Sequence, residues 1–298
     1  VSFSKAQAIW PEGQQYEKNL SIGFRAEFEK PGKGEAILRI TGSSLYRIYL
    51  NNDFIGHGPA RAGHGYYRVD EWDLSEHMIK GNNILAVEVA GYNVNSFYLL
   101  DQPSFIQAEV ISRKKVIAAT SAEKDDFVVI QLSERVQKVP RYSFQRPFVE
   151  YYKLTPEFNE WRVSSPLTRG ETGGQQGRLK ALGLRLEDVG PKRLVPRRIP
   201  YPEFLIRRPV ALLGNGTMET GIKREQYWRD RAVVNIGEKL GGFPEDELEL
   251  NPAIELQEME NLEFITDSTS FKSGEQIKLT DGQFQILDLG TNLTGFIG

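Results

Sequence analysis

Residues 35–100 are built almost wholly from short apolar–polar alternations separated by Gly- and Asn-rich breaks, and this pattern constrains the fold more than any other feature. Ala36, Leu38 and Ile40 alternate with Ile37, Arg39 and Thr41. A period of two is what a half-buried β-strand requires, because successive side chains point to opposite faces. Leu45 to Leu50 alternates again and stops at Asn51-Asn52, a pair able to hold the positive φ angles of a tight hairpin turn. Phe54-Ile55 begins a return strand that runs into GHGPARAGHG. Tyr66-Tyr67 and Trp72-Asp73-Leu74 follow, and Ser75 to Lys80 reads as a short helical turn closed by Gly81. Ile84 to Val89 is a further strand with Leu85, Val87 and Val89 on one face. The pattern predicts an antiparallel β-sandwich.

The rest of the chain continues this pattern with less regularity. Trp10 reads as a core plug, with sugar stacking as the alternative, and Ile22 to Phe28 as a strand. Phe105 to Ile111, Val116 to Thr120 and Phe127 to Leu132 are strands, the first two joined by a turn at Lys114-Lys115. Pro140 to Trp161 is aromatic and Arg-rich without a clean period, and Ser164 to Gly177 reads as a polar surface loop. Leu182 to Leu186 is a short strand, and Val189 to Phe204, with four prolines and four basic residues, reads as a connector. Beyond it, Arg208 to Leu213 leads into a Gly214-Asn215-Gly216 turn, Tyr227 begins a strand through Val234, and Leu262 to Ile265 is another strand. Two regions result: 1–200, an N-terminal jelly-roll sandwich, and 201–298, a second β-rich region with an incomplete sandwich. A length of 298 residues accommodates both.

A second layer of inference comes from particular residues. Tyr49-Leu50-Asn51, Gly56, Gly58-Pro59-Ala60, Tyr66-Tyr67, Asp73-Leu74, Gly81, Asn83, Leu85, Val87 and Val89 together resemble the N-terminal jelly-roll domain of bacterial α-L-rhamnosidases. Asn52 departs from the Gly usual there, a mild replacement at positive φ. Part of the rhythm is also similar to the galactose-binding-like sandwich of β-galactosidase and β-glucuronidase relatives; Gly58-Pro59-Ala60 favours the rhamnosidases. Near the C-terminus, Asp288, Gly290, Asn292 and Gly295 resemble the element that opens the next rhamnosidase sandwich, with Leu289, Thr291 and Phe296 as variations of similar character. A strand there without a successor would leave a sheet edge unpaired, which predicts that the chain is the N-terminal portion of a longer protein.

The resemblance implies a parent glycoside hydrolase that releases terminal L-rhamnose by inverting hydrolysis, without a cofactor. In that family the acid and base lie in an (α/α)₆ barrel downstream, so no catalytic residue is expected in this chain. The implied partners are that barrel and a rhamnose-containing glycan. The implied location is the periplasm or the exterior of a bacterial cell, with the cytoplasm as the alternative. Val1 in place of Met is consistent with a removed export signal or an expression boundary. A stand-alone carbohydrate-binding module and an accessory region of a β-galactosidase-like enzyme remain as alternatives.

The residues themselves carry no nucleophile, phosphate-loop or metal motif. His57 and His64 share one loop, but a metal would need further ligands there, and bonding to backbone carbonyls explains them better. Asp70, Glu71 and Asp73 beside Trp72, and Glu150 among aromatics, are carboxylates of the kind a glycosidase pairs at roughly 5 to 10 Å. Asp73 is explained more simply as the cap of the turn that follows. Candidate sugar contacts are Tyr66, Tyr67, Trp72, Tyr92 and Asn93, with Tyr98 and Asn95 beside them; filling the core is the competing role for these aromatics. A net charge of -3 with both signs intermixed predicts neither nucleic-acid nor membrane-surface binding. No apolar run approaches the roughly 18 residues of a membrane helix.

Overall fold

The computed structural model describes residues 2–30, 35–124, 126–141, 143–153, 155, 158–163, 184–205, 207–223, 237–250, 255–265 and 277–292. The sequence-based readings of the 164–177 loop, the 227–234 strand, the start of the strand at Leu182 and the Gly295-Phe296 end lie outside them. The chain divides into two units, 1–200 with 235–250, and 201–234 with 251–298. Residues 235–250, assigned from the sequence to the second region, thus lie in the first unit.

The first unit is a sandwich of two sheets. One contains β1 (Ile9–Pro11), β3 (Ala36–Ser43), β6 (Tyr66–Asp73), β8 (Phe105–Ser112), β9 (Lys115–Ala119), β11 (Leu186–Asp188) and β12 (Arg193–Pro196), in the order β11-β1-β8-β3-β6-β12 with β9 also on β8. The other contains β2 (Leu20–Glu29), β4 (Leu45–Leu50), β5 (Asp53–Gly58), β7 (Asn82–Gly91) and β10 (Phe127–Gln131), in the order β10-β2-β7-β4-β5. Every pairing in the two sheets is antiparallel except β12 on β6.

The alternations become the core. Ala36, Leu38 and Ile40 of β3 are buried, as are Ile22 and Phe24 of β2, Ile48 and Leu50 of β4, and Leu85, Val87 and Val89 of β7. Each large apolar side chain taken from water contributes on the order of 1.5–3 kcal/mol. The Trp10 and Phe24 rings, 5.9 Å apart, join the two sheets from within. Trp10 is fully buried, and its Nε1 donates to the Gln14 carbonyl at 3.1 Å, so it is a core plug.

The turns follow local chemistry. Asn51 and Asn52 adopt φ of 52° and 72°, the two positive values a type I′ hairpin demands. Asn51 also accepts the Ile84 N–H on Oδ1, and its Nδ2 donates to Asn83 Oδ1. Asp73 accepts the Ser75 N–H at 2.9 Å, the capping role expected of it. The hairpin before β9 turns at Arg113-Lys114, φ 49° and 64°, one residue earlier than Lys114-Lys115, and Lys115 already pairs with Ser112.

The five-stranded sheet is covered on its outer side as well. Ala86, Ile130, Leu132 and Trp161 form a second apolar cluster there. Trp161 belongs to α1 (Glu160–Val163) and fits because Gly23 has no side chain; a Cβ at Gly23 would lie 2.9 Å from its ring. The aromatic, Arg-rich stretch after Pro140 is thus partly a lid over this sheet.

The connector read from Val189 to Phe204 is not all connector. Arg193–Pro196 adds a parallel edge strand to β6, and an edge tolerates Pro196, which has no N–H to offer.

The second unit holds a three-stranded antiparallel sheet, β14-β13-β15, from β13 (Ala211–Lys223), β14 (Glu255–Phe264) and β15 (Gln283–Asp288). Here the expected Gly214-Asn215-Gly216 turn is corrected: β13 runs straight through it. The glycines make room for neighbours instead. A Cβ on Gly216 would lie 2.7 Å from the Phe284 ring and 2.8 Å from the Glu260 carbonyl. Chain irregularities at Asn215/Thr217 absorb the mismatch as a bulge. No helix among the described residues is long and apolar enough to cross a membrane.

Candidate functional site

Pleating divides the acidic cluster of β6. Asp70 and Trp72 point into the sandwich, whereas Glu71 and Asp73 are exposed. Inside, Tyr46 of β4 donates a short hydrogen bond to Asp70 Oδ2, and Trp72 Nε1 donates to the Tyr46 hydroxyl at 3.2 Å. The Arg197 guanidinium closes the group, 3.1 Å from Asp70 Oδ1. Burial pushes the Asp70 carboxyl up, against the bonds from Tyr46 and Arg197 that favour its charge. Gly58 lies directly against this group, since a Cβ there would collide with Asp70 Oδ2 and the Tyr46 hydroxyl. Gly56 likewise leaves room for the Trp72 ring. Gly56 therefore owes its place to the Trp72 ring and Gly58 to the Asp70–Tyr46 pair between the sheets.

Where that stretch leaves the sandwich, a surface groove opens. It is lined by Pro59, Arg61, Tyr66, Arg68, Tyr98 and Gln102 among others. Tyr66 is 45% exposed, while Tyr67 turns edge-on to Phe105 with ring centroids 4.6 Å apart. The Arg61 guanidinium stands 5.5 Å over the Tyr98 ring and that of Arg193 5.8 Å over Tyr66. Gln102 Oε1 accepts the Gly65 N–H at 2.6 Å and ties the loop to the groove wall.

The structure thus brings Tyr66, Tyr67 and Tyr98 together and places the other candidates inside. Trp72 is packed on Gly56 and Tyr46. Tyr92 is buried in a cluster with Val94, Leu99, Val136, Val139 and Phe148, and burial pushes its phenol up to about 12. Asn93 is buried too; its Nδ2 donates to the Gln15 and Glu17 carbonyls and to Ser104 Oγ. Trp72, Tyr92 and Asn93 are spent on internal contacts and present no face to a sugar in the groove. Asn95 caps a turn by accepting the Asp101 N–H.

The remaining sequence-flagged carboxylate, Glu150, lies on the outer side of the five-stranded sheet. It meets Arg47 at 3.2 Å, Arg135 at 3.6 Å and the Tyr152 hydroxyl at 3.0 Å. Burial works to raise its carboxyl, but Arg135 and Arg47 outweigh that and hold it below the usual carboxylate range. Glu88 extends the network to Arg47 at 4.0 Å and to Arg162 at 3.5 Å. Arg162 also lies 4.3 Å over the Tyr49 ring. The arginines come from β4, the 132–153 segment and α1, so no sequence spacing announces the cluster. The same holds for Arg61, Arg68 and Gln102 in the groove, and the parallel pairing of β12 on β6 brings Arg193 beside it, over Tyr66.

No family model matches the chain, and no curated protein matches it in sequence. Among solved structures, the GH78 family rhamnosidase of Bacillus sp. GL1 matches with a TM-score of 0.58 at 23% identity, over 76% of this chain and 23% of that one. The fold is shared with part of that enzyme. The α-L-rhamnosidases of Dictyoglumus thermophilum and Aspergillus terreus match with TM-scores of 0.49 and 0.43 at 12% identity each, over 95% and 76% of this chain. The chain spans 23%, 36% and 29% of the lengths of these three enzymes.

Proposed function

We propose that this chain is the N-terminal, non-catalytic β-sandwich region of an α-L-rhamnosidase-like glycoside hydrolase. The observation that carries this reading is the shared fold with part of a GH78 rhamnosidase, found in a chain whose sequence resembles the same family residue by residue. Several of those residues have defined work here. Gly58 packs on Asp70 and Tyr46, Asn51 and Asn83 lock the hairpin to β7, and Leu85, Val87 and Val89 fill the core. The region braces an (α/α)₆ barrel elsewhere in the same polypeptide. That barrel supplies the acid and base for inverting hydrolysis of terminal α-L-rhamnosides, with no cofactor, and the parent protein acts in the periplasm or outside a bacterial cell.

The four carboxylates weighed as a glycosidase pair favour a bracing role. Asp70 is paired inside the sandwich, Glu71 meets Arg39 at 2.9 Å, Asp73 caps a turn, and Glu150 is held by arginines. The test is hydrolysis of p-nitrophenyl α-L-rhamnoside by this chain and by the full-length gene product. Activity confined to the longer protein is expected; turnover by residues 1–298 alone would overturn the reading.

A second reading, a carbohydrate-binding module, is favoured by the groove, which displays Tyr66 beside Tyr67 and polar groups. A glycan-binding screen of this chain separates it from bracing alone.

A further inference from the structure

Two arginines, Arg61 and Arg68, line the groove, and a third, Arg193, stands beside it over Tyr66. Arg61 lies over Tyr98 and Arg193 over Tyr66. Arg68 donates Nε to the Arg61 carbonyl at 2.6 Å and Nη1 to the Pro196 carbonyl at 3.1 Å. Among the described residues, none of the three takes part in an ion pair. Elsewhere in the same unit, Arg39, Arg47, Arg135, Arg162 and Arg197 each have a carboxylate within 4.0 Å, while the buried Arg141 is spent on backbone carbonyls.

Two guanidiniums in the lining, with that of Arg193 beside them, raise the local positive potential and select for an anion. The guanidinium fork matches a carboxylate in a bidentate way that a lysine cannot reproduce. Holding Arg61 and Arg193 against tyrosine faces keeps the forks near the groove. Tyr66, 45% exposed, adds an aromatic surface against which the C–H face of a pyranose can lie. Asp101, exposed beside the lining residue Gln102, is the carboxylate nearest in sequence to the wall, and its backbone N–H is bonded to Asn95.

We infer that this groove binds a uronate residue of an acidic saccharide, with its carboxylate on Arg61 and Arg68 and its ring against Tyr66. That the ligand is a saccharide rests on the glycan reading above; that it is anionic rests on the groove alone.

The test is calorimetric titration of this chain with trigalacturonate, with maltotriose as the neutral trimer and citrate as a carboxylate without a sugar ring. The uronate trimer is expected to bind at least about tenfold more tightly than either control. Its affinity should fall severalfold as salt rises from about 50 to about 300 mM, because partly exposed charges are screened. Arg61→Gln should weaken uronate binding about fivefold or more while shifting the melting temperature by no more than about 2 °C, since Arg61 is exposed and its ring contact is with Tyr98 alone. Arg61→Lys should recover only part of the loss. Absent uronate binding, equal affinity for maltotriose or citrate, or an Arg61→Gln variant that binds as well as the parent would each overturn the inference. Rhamnosidase activity of the full-length protein is a separate readout, so the groove and the parent reaction fail independently.

Discussion

The Arg197 guanidinium lies 3.1 Å from Asp70 Oδ1, with side chains only 7% and 0% exposed, although the two residues are 127 positions apart. Arg197 also donates Nε to the Ile199 carbonyl at 3.0 Å and Nη2 to the Pro200 carbonyl at 2.8 Å. One residue thereby neutralises a buried carboxylate and pins the chain that follows β12. Asp70 could not remain inside the sandwich at this cost without such a partner, since a buried unpaired charge is strongly disfavoured.

Removal of the partner should therefore be severe. Arg197→Met leaves Asp70 buried without its cation and is expected to destabilise by about 3–5 kcal/mol near neutral pH. Asp70 already titrates above its ordinary value because of burial, and the substitution raises it further. A carboxyl raised in the folded state stabilises fully below its unfolded pKa and loses that contribution as pH rises through the folded one. The penalty of Arg197→Met should thus shrink as the pH is lowered towards 4 and grow towards 7. Urea denaturation at the two pH values measures it. An equal penalty at both would contradict the assignment.

Gly58 and Gly63 lie in the same Gly-rich stretch and should respond differently to the same substitution. A methyl group at Gly58 meets Asp70 and the Tyr46 hydroxyl, both held by hydrogen bonds, whereas one at Gly63 has nothing within 4 Å. Gly58→Ala is expected to cost about 1–3 kcal/mol through overpacking, and Gly63→Ala to stay within about 0.5 kcal/mol. Thermal unfolding of the two variants beside the parent chain decides the matter.

The alternations from Ala36 to Val89 showed the sandwich in the sequence because the fold's inner face is apolar at every second residue. Asn51-Asn52 and Asp73 were equally readable, since their roles depend on residues a few positions away. The groove was only half legible. Tyr66 and Tyr67 stood out as paired aromatics, but nothing local marks Trp72 and Tyr92 as internal, because burial depends on Gly56 and on the 132–153 segment crossing above them. Gly214-Asn215-Gly216 misled for a related reason: room for the Phe284 ring and a turn both call for glycine. Arg193 came to lie over Tyr66 only through a parallel pairing that a Pro-rich segment does not advertise.

Trp161 tests whether the lid over the five-stranded sheet carries stability. It is 3% exposed, rests on Gly23 and joins Ala86, Ile130 and Leu132. Trp161→Ala empties that space and is expected to destabilise by about 3–5 kcal/mol. The Trp161 carbonyl, which accepts Arg25 Nη1 at 2.8 Å, survives the change only if α1 stays docked. Limited proteolysis should then cut the variant faster than the parent near residues 154–163, and unchanged cleavage would mean that Arg25 alone holds the lid.

Glu150 sets the acid limit of the same face. Burial would raise its carboxyl, yet Arg135, Arg47 and the Tyr152 hydroxyl hold it below the ordinary 4.5. A carboxylate depressed in the folded state contributes stability above its unfolded pKa and loses it as pH falls through the folded one. Protonation also leaves Arg47 and Arg135 facing each other with less counter-charge, although Glu88 remains 4.0 Å from Arg47. The melting temperature of the parent chain is therefore expected to fall more steeply below about pH 4.5 than that of Glu150→Gln, which lacks this titration. The two curves should lie furthest apart near neutral pH and converge in acid. Parallel curves across the range would show that Glu150 is not coupled to folding, and the arginine cluster would then owe its place to the aromatic faces of Tyr49 and Tyr152, over which Arg162 and Arg135 lie at 4.3 and 5.0 Å.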